Sequence, residues 1–107
     1  MNAYLDHVAV NSANLEETVR FFKEVFHMEV SREAGSAPNR RIWFRQGIQI
    51  NEAPPVSREN TIYHHVALRV EDKEEAVRAT LAYGCKPVEG KTGWIVTADG
   101  IVIEFMA

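Results

Sequence analysis

Residues 4–10 alternate between apolar and polar side chains, are rich in β-formers and predict a strand. The alternation puts His7 on one face with Leu5 and Ala9, and Val8 and Val10 on the other. After Asn11-Ser12-Ala13 the period changes. Val19, Phe22, Val25 and Phe26 recur at helical spacing, with Arg20, Lys23 and Glu24 between them, and predict a helix over residues 15–26. Asn14 is its expected N-cap, with Glu17 as reciprocal partner. Strands are expected over 28–32, 40–45 and 48–51, separated by loop chemistry at 33–39 and a turn or bulge at Gly47. Pro54 and Pro55 cannot continue a sheet interior, so residues 53–61 read as a linker.

The succession then repeats. Residues 62–70 predict a strand, Asp72 a cap with Glu75 as partner, and Val77 and Leu81 the apolar stripe of a second helix that ends at Gly84. Strands follow at 86–88, 93–97 and 101–105, with Asp99-Gly100 as a hairpin signal. With His65 laid over His7, an offset of 58 residues, eight identities fall between residues 6–30 and 64–88: His7, Val8, Ala9, Glu16, Glu17, Val19, Arg20 and Val30. Ordinary residue frequencies would produce roughly one or two. The chain therefore reads as two copies of a β-α-β-β-β unit, module one at 1–52 and module two at 62–107. A unit of about fifty residues is marginal alone, so the expectation is one α+β domain over 1–107 with a mixed sheet.

Composition narrows the function classes. A net charge of −3 and a pI near 5.8 leave no basic footprint for nucleic acid. Cys85 is the single cysteine, so no internal disulfide can form, and it reads as a small core residue. No charged-then-apolar leader opens the chain and no apolar run approaches membrane length, which points to a cytoplasmic protein without a membrane partner.

Polar residues at matching places in the two copies carry the candidate chemistry. The last strand of each copy holds a polar residue between apolar neighbours: Gln49 between Ile48 and Ile50, Glu104 between Ile103 and Phe105. With His7 and His65 from the first strands, the set is two imidazoles, one amide oxygen and one carboxylate. A strand carboxylate with apolar neighbours is costly to bury unless paired or metal-bound. This donor set suits Zn, Ni, Co, Mn or Fe, and four protein ligands leave two octahedral positions open for water or substrate. His64 falls on the face opposite His65, and His27 at a helix end; neither is expected to be a ligand.

The doubled unit, Leu5-Asp6-His7-Val8-Ala9-Val10, His64-His65-Val66-Ala67 and Ile103-Glu104-Phe105 resemble the vicinal oxygen chelate superfamily. That superfamily includes glyoxalase I, methylmalonyl-CoA epimerase, extradiol dioxygenases and bleomycin-binding resistance proteins. The resemblance implies a curled mixed sheet, a homodimer, and a divalent metal held by His7, Gln49, His65 and Glu104. Glutamine at position 49 is more epimerase-like than glyoxalase I-like. The implied reaction is that of a lyase or isomerase acting on a small α-hydroxycarbonyl, thioester or related compound. The metal would chelate its vicinal oxygens and stabilise an enediolate or enolate, with Glu104 moving the proton. Two alternatives are an Fe(II) dioxygenase using His7, His65 and Glu104 alone, and a non-enzymatic binder of a drug-like molecule. Arg41, Arg45, Arg69 and Lys91 are candidates to hold an anionic substrate tail, and Trp43, Trp94 and Tyr63 to wall a pocket. Glu33 and Glu52 are available as a second acid/base, while Arg40-Arg41 reads as a solvated edge.

Overall fold

The computed structural model describes residues 1–57, 61–98 and 100–107. Eight strands and two helices follow in the order β1 (Ala3–Ser12), α1 (Leu15–Phe26), β2 (Val30–Ala34), β3 (Arg41–Phe44), β4 (Ile48–Glu52), β5 (Tyr63–Val70), α2 (Lys73–Tyr83), β6 (Lys86–Pro87), β7 (Trp94–Val96) and β8 (Val102–Met106). The predicted β-α-β-β-β order therefore occurs twice. The strands of the first repeat hydrogen-bond in the order β2-β3-β4-β1 and those of the second in the order β5-β8-β7-β6, each mixed and open, with parallel β1/β4 and β5/β8 pairs. Two compact units can be distinguished, residues 7–64 and residues 1–6 with 65–107.

In the unit of residues 7–64 the apolar face of the strands packs on α1. Leu15, Ile42, Phe44 and Ile50 form its buried core, flanked by Val10, Val19, Phe22, Met28, Val30 and Ile48. Phe22 meets Phe44 with ring centroids 5.8 Å apart. Helix α1 spans the predicted residues, but its start is built differently. Asn14 makes no side-chain capping bond; instead the Ser12 hydroxyl accepts from the Asn14 N–H at 3.1 Å and bonds the Thr18 hydroxyl at 2.9 Å. A serine two residues upstream satisfies the helix entry, so the capping box expected at Asn14 is not formed. The helix closes at His27, whose left-handed backbone (φ 55°) turns the chain, and β2 begins at Val30 rather than Met28. Gly47, at φ 98°, accommodates the tight turn between β3 and β4, where its N–H reaches the Phe44 carbonyl at 3.1 Å.

The other unit repeats the plan with smaller residues. Val70, Ala76, Ile95 and Phe105 are its buried core, with Leu68, Val77, Cys85 and Ile103 packed around them. Here the predicted cap forms: the Glu75 N–H donates to Asp72 Oδ1 at 3.1 Å. Gly84, at φ 123°, terminates α2, its N–H pointing at the carbonyls of Thr80 and Leu81. The expected stripe is half right. Val77 packs inward, but Leu81 is exposed and Ala76 supplies the buried contact. The stripe is turned by about one residue, because a helix with few large apolar residues sets its phase weakly. Asp99 lies outside the described residues; beside it, β7 and β8 pair antiparallel as the hairpin signal required.

Candidate functional site

Strand pleating sorts the polar residues onto the sheet face turned away from each unit's helix. Around β1 and β4 the core takes Val10, Ile48 and Ile50, so the opposite face receives His7, Ala9, Asn11, Gln49 and Asn51. His7 and Gln49 are each about 5% exposed, and Ala9 is fully buried. The register sets Ala9 beside Gln49 and Asn11 beside Asn51. The Gln49 amide nitrogen donates to Asn51 Oδ1 at 2.7 Å, and Asn51 Nδ2 lies 3.4 Å from Asn11 Oδ1. With its nitrogen held, the carboxamide keeps its oxygen as an acceptor. Asn11 and Asn51 were not among the sequence candidates, although each lies an even number of residues from His7 or Gln49, which is the signal that could have found them.

Around β5 and β8 the core takes Leu68, Val70, Ile103 and Phe105, and the opposite face receives His65, Ala67 and Glu104. His65 Nε2 lies 3.2 Å from Glu104 Oε1; the imidazole is buried and the carboxylate about a quarter exposed. The Trp94 indole packs against the His65 ring at 4.5 Å between centroids, and Lys91 Nζ sits 4.6 Å above that indole. His64 falls on the face opposite His65, as its parity required, and is exposed.

Each repeat thus carries its own polar pair, His7 with Gln49 in one and His65 with Glu104 in the other. Metal–nitrogen and metal–oxygen bonds are about 2.0–2.2 Å, so two ligands of one ion lie roughly 3 to 4.3 Å apart. The His65–Glu104 spacing of 3.2 Å falls inside that range. Two imidazoles and a carboxylate also suit a borderline divalent ion, so the residues present fit the group.

The remaining candidates divide by their partners. Arg69 donates to Asp6 and to the Ala107 carbonyl, each at 2.8 Å, and Arg45 stands 4.0 Å from Glu29. Arg40 is not the solvated edge expected of it: its guanidinium grips Glu52 through two nitrogens and reaches Glu16 at 3.0 Å. The same hydrogen bonds hold the Glu52 carboxyl below the usual glutamate range. They remove Glu52 from the acid/base candidates, since a carboxylate held ionised by arginine is a poor base. Glu33 pairs in register with Ile42, on the helix-packed face, and lines a cavity of about 360 Å³ with Glu16, Arg20, Lys23 and Arg40. It is on the wrong face to serve Gln49. Arg41 stands beside Trp43, as does Arg32, which the sequence reading missed.

Against this geometry, comparison with known proteins is decisive for the family. The family model described as a glyoxalase-like domain matches residues 7–104. The chain belongs to the glyoxalase-like domain family. It is thereby a member of the vicinal oxygen chelate superfamily. Solved structures share the fold. A hypothetical protein from Bacillus halodurans C-125 is 19% identical over 98% of this chain and 94% of its own, with a TM-score of 0.69. Methylmalonyl-CoA epimerase of Streptomyces coelicolor, as a variant in complex with 2-nitronate-propionyl-CoA, is 17% identical over 94% of each chain, at 0.63. A Mn(II)-bound glyoxalase from Novosphingobium aromaticivorans is 22% identical over 94% of this chain and 36% of that one, at 0.70. No curated protein matches. Among the described residues no helix is long and apolar enough to cross a membrane.

Proposed function

We propose that this glyoxalase-like protein is a metal-dependent lyase or isomerase of the glyoxalase/epimerase type, acting on a small α-hydroxycarbonyl, thioester or related compound. The observation that carries the reading is the 3.2 Å approach of the buried His65 imidazole to the Glu104 carboxylate, with His7 and Gln49 buried on the equivalent face of the other repeat. His7, His65 and Glu104 would hold the ion, and Gln49 would add its amide oxygen. When bound, a divalent ion supplies Lewis-acid polarisation of substrate oxygens.

The protein's own residues account for the rest. Asn51 orients the Gln49 carboxamide through the 2.7 Å hydrogen bond. Trp94 packs on His65 and limits the ring's rotation. Glu104, partly exposed and beside an imidazole, is the group placed to accept a proton from the substrate carbon and return it. A homodimer working in the cytoplasm completes the reading; it is supported by the family resemblance alone.

The test is metal analysis of the purified protein, followed by a screen of dicarbonyls and acyl-CoA esters. A stoichiometric divalent ion lost in His7→Ala, together with turnover of one substrate class, is the expected result. No ion bound, and no ion taken up on addition, would overturn it. A second reading has its own observation: the His65–Glu104 pair would need only one more histidine, His7, to make the two-histidine, one-carboxylate set of Fe(II) oxygenases. It predicts strict dependence on iron and O₂ and indifference to Gln49→Ala.

A further inference from the structure

Trp43 marks a second chemical feature of residues 7–64. The Arg32 guanidinium carbon is 4.5 Å from the Trp43 ring centroid, and that of Arg41 is 5.7 Å from it. Arg41 precedes Trp43 by two residues on β3 and so shares its face. Arg32 reaches that face by a different route. Val30 pairs with Phe44 but Arg32 pairs with Trp43, so two steps along β2 match one along β3, a β-bulge. The extra residue, Ser31, donates its hydroxyl to the Trp43 carbonyl at 3.2 Å. Without the bulge, Arg32 would share the helix-packed face of Val30. With it, both arginines stand on the face that carries Gln49 and Asn51: Trp43 is in register with Gln49, and Arg41 with Asn51.

Neither Arg32 nor Arg41 has a carboxylate partner among the described residues, although the chain holds 15 acidic against 12 basic residues. The neighbouring Arg40, on the opposite face, has two. Two like charges beside one indole repel each other, and cation–π attraction to a half-buried ring offsets that repulsion only in part. An oxyanion bound by guanidinium forks would neutralise both charges.

We infer that Arg32 and Arg41, held at the Trp43 indole by the β2 bulge, form an oxyanion clamp that receives a carboxylate or phosphate group of the substrate. The assignment to a substrate rests on the proposed function; the clamp itself does not. It makes the substrate class anionic, with an apolar or planar portion lying on the indole between the charged group and the Gln49 side of the face.

The clamp is tested in full-length protein stripped of metal with a chelator. Trp94→Phe leaves Trp43 as the sole tryptophan reporter, and calorimetry on the unsubstituted chain provides a second readout that needs no substitution. Malonate probes for carboxylate and inorganic phosphate for phosphate. The expected result is saturable binding in one arm, weakened about tenfold or more by Arg32→Gln and by Arg41→Gln, as for a lost charge-assisted contact, and unchanged by Arg45→Gln. No saturable binding in either arm, wild-type affinity in both Arg32→Gln and Arg41→Gln, or an equal loss in Arg45→Gln would each overturn it. Metal uptake by the same preparations separates the two ideas. Anion binding without metal uptake sinks the proposed function and leaves the clamp; metal uptake without anion binding does the reverse.

Discussion

The two repeats share a scaffold and differ in what they place on it. In residues 7–64 the face away from the helix holds His7 with the neutral amides Gln49, Asn51 and Asn11, bordered by Trp43 with Arg32 and Arg41. In the other repeat the equivalent face holds an imidazole and a carboxylate 3.2 Å apart, with Trp94 and Lys91 beside them. Equivalent last-strand positions carry Gln49 in one and Glu104 in the other. An amide binds and orients but moves no proton near neutral pH, whereas a carboxylate can do both. The two repeats thus keep the same packing while their last-strand polar positions differ, an amide in one and a carboxylate in the other.

The largest expected effects test the shared part. Ile50→Ala and Ile95→Ala each empty a fully buried site in one repeat, and each should lower unfolding free energy by about 2–5 kcal/mol in denaturant titrations. Unequal losses, with one near zero, would break the claim of equivalent cores. Next comes the divergent part. Glu104→Ala should weaken divalent-ion binding by about two orders of magnitude or more, beyond the roughly 10–100-fold lost with a residue that only hydrogen-bonds a ligand, while Gln49→Ala should cost distinctly less. Calorimetric titration with Mn²⁺ and Zn²⁺ measures both, and equal losses would remove the asymmetry.

A smaller contrast lies at the helix starts. Asp72→Ala should cost about 1 kcal/mol of stability, and Asn14→Ala much less, because only Asp72 makes a capping bond. The smallest effect belongs to the Arg40–Glu52 pair. Glu52 has a folded-state pKa below its ordinary value of 4.5, so the unfolded chain binds its proton first as pH falls. Its contribution is therefore complete above about pH 4.5 and is lost as pH drops through the lower folded value. Glu52→Gln should shallow the decline of stability between pH 5 and pH 3 and leave the slope above pH 5 unchanged in melts across that range.

Much of this was legible because it depends on local rules. Helix α1 emerges from the spacing of Val19, Phe22, Val25 and Phe26, and the matching of His7 with His65 needs only the 58-residue offset. The misses share a cause. Ser12 displaced Asn14 at the helix entry, Arg40 left the solvated edge for Glu52 and Glu16, and Leu81 lost its core position to Ala76. In each the outcome turned on a partner distant in sequence or on competition between near-equal neighbours.

By itself the sequence determined the doubled β-α-β-β-β order and which residues alternate with which, since both follow from side-chain period and from identity between copies. It could not decide what each polar side chain meets. Residues 65 and 104 are brought near one another only by strand pairing, and Arg32 joins Trp43 only because a bulge shifts the register by one. Period is a property of neighbours along the chain; register and pairing are settled by contacts across it.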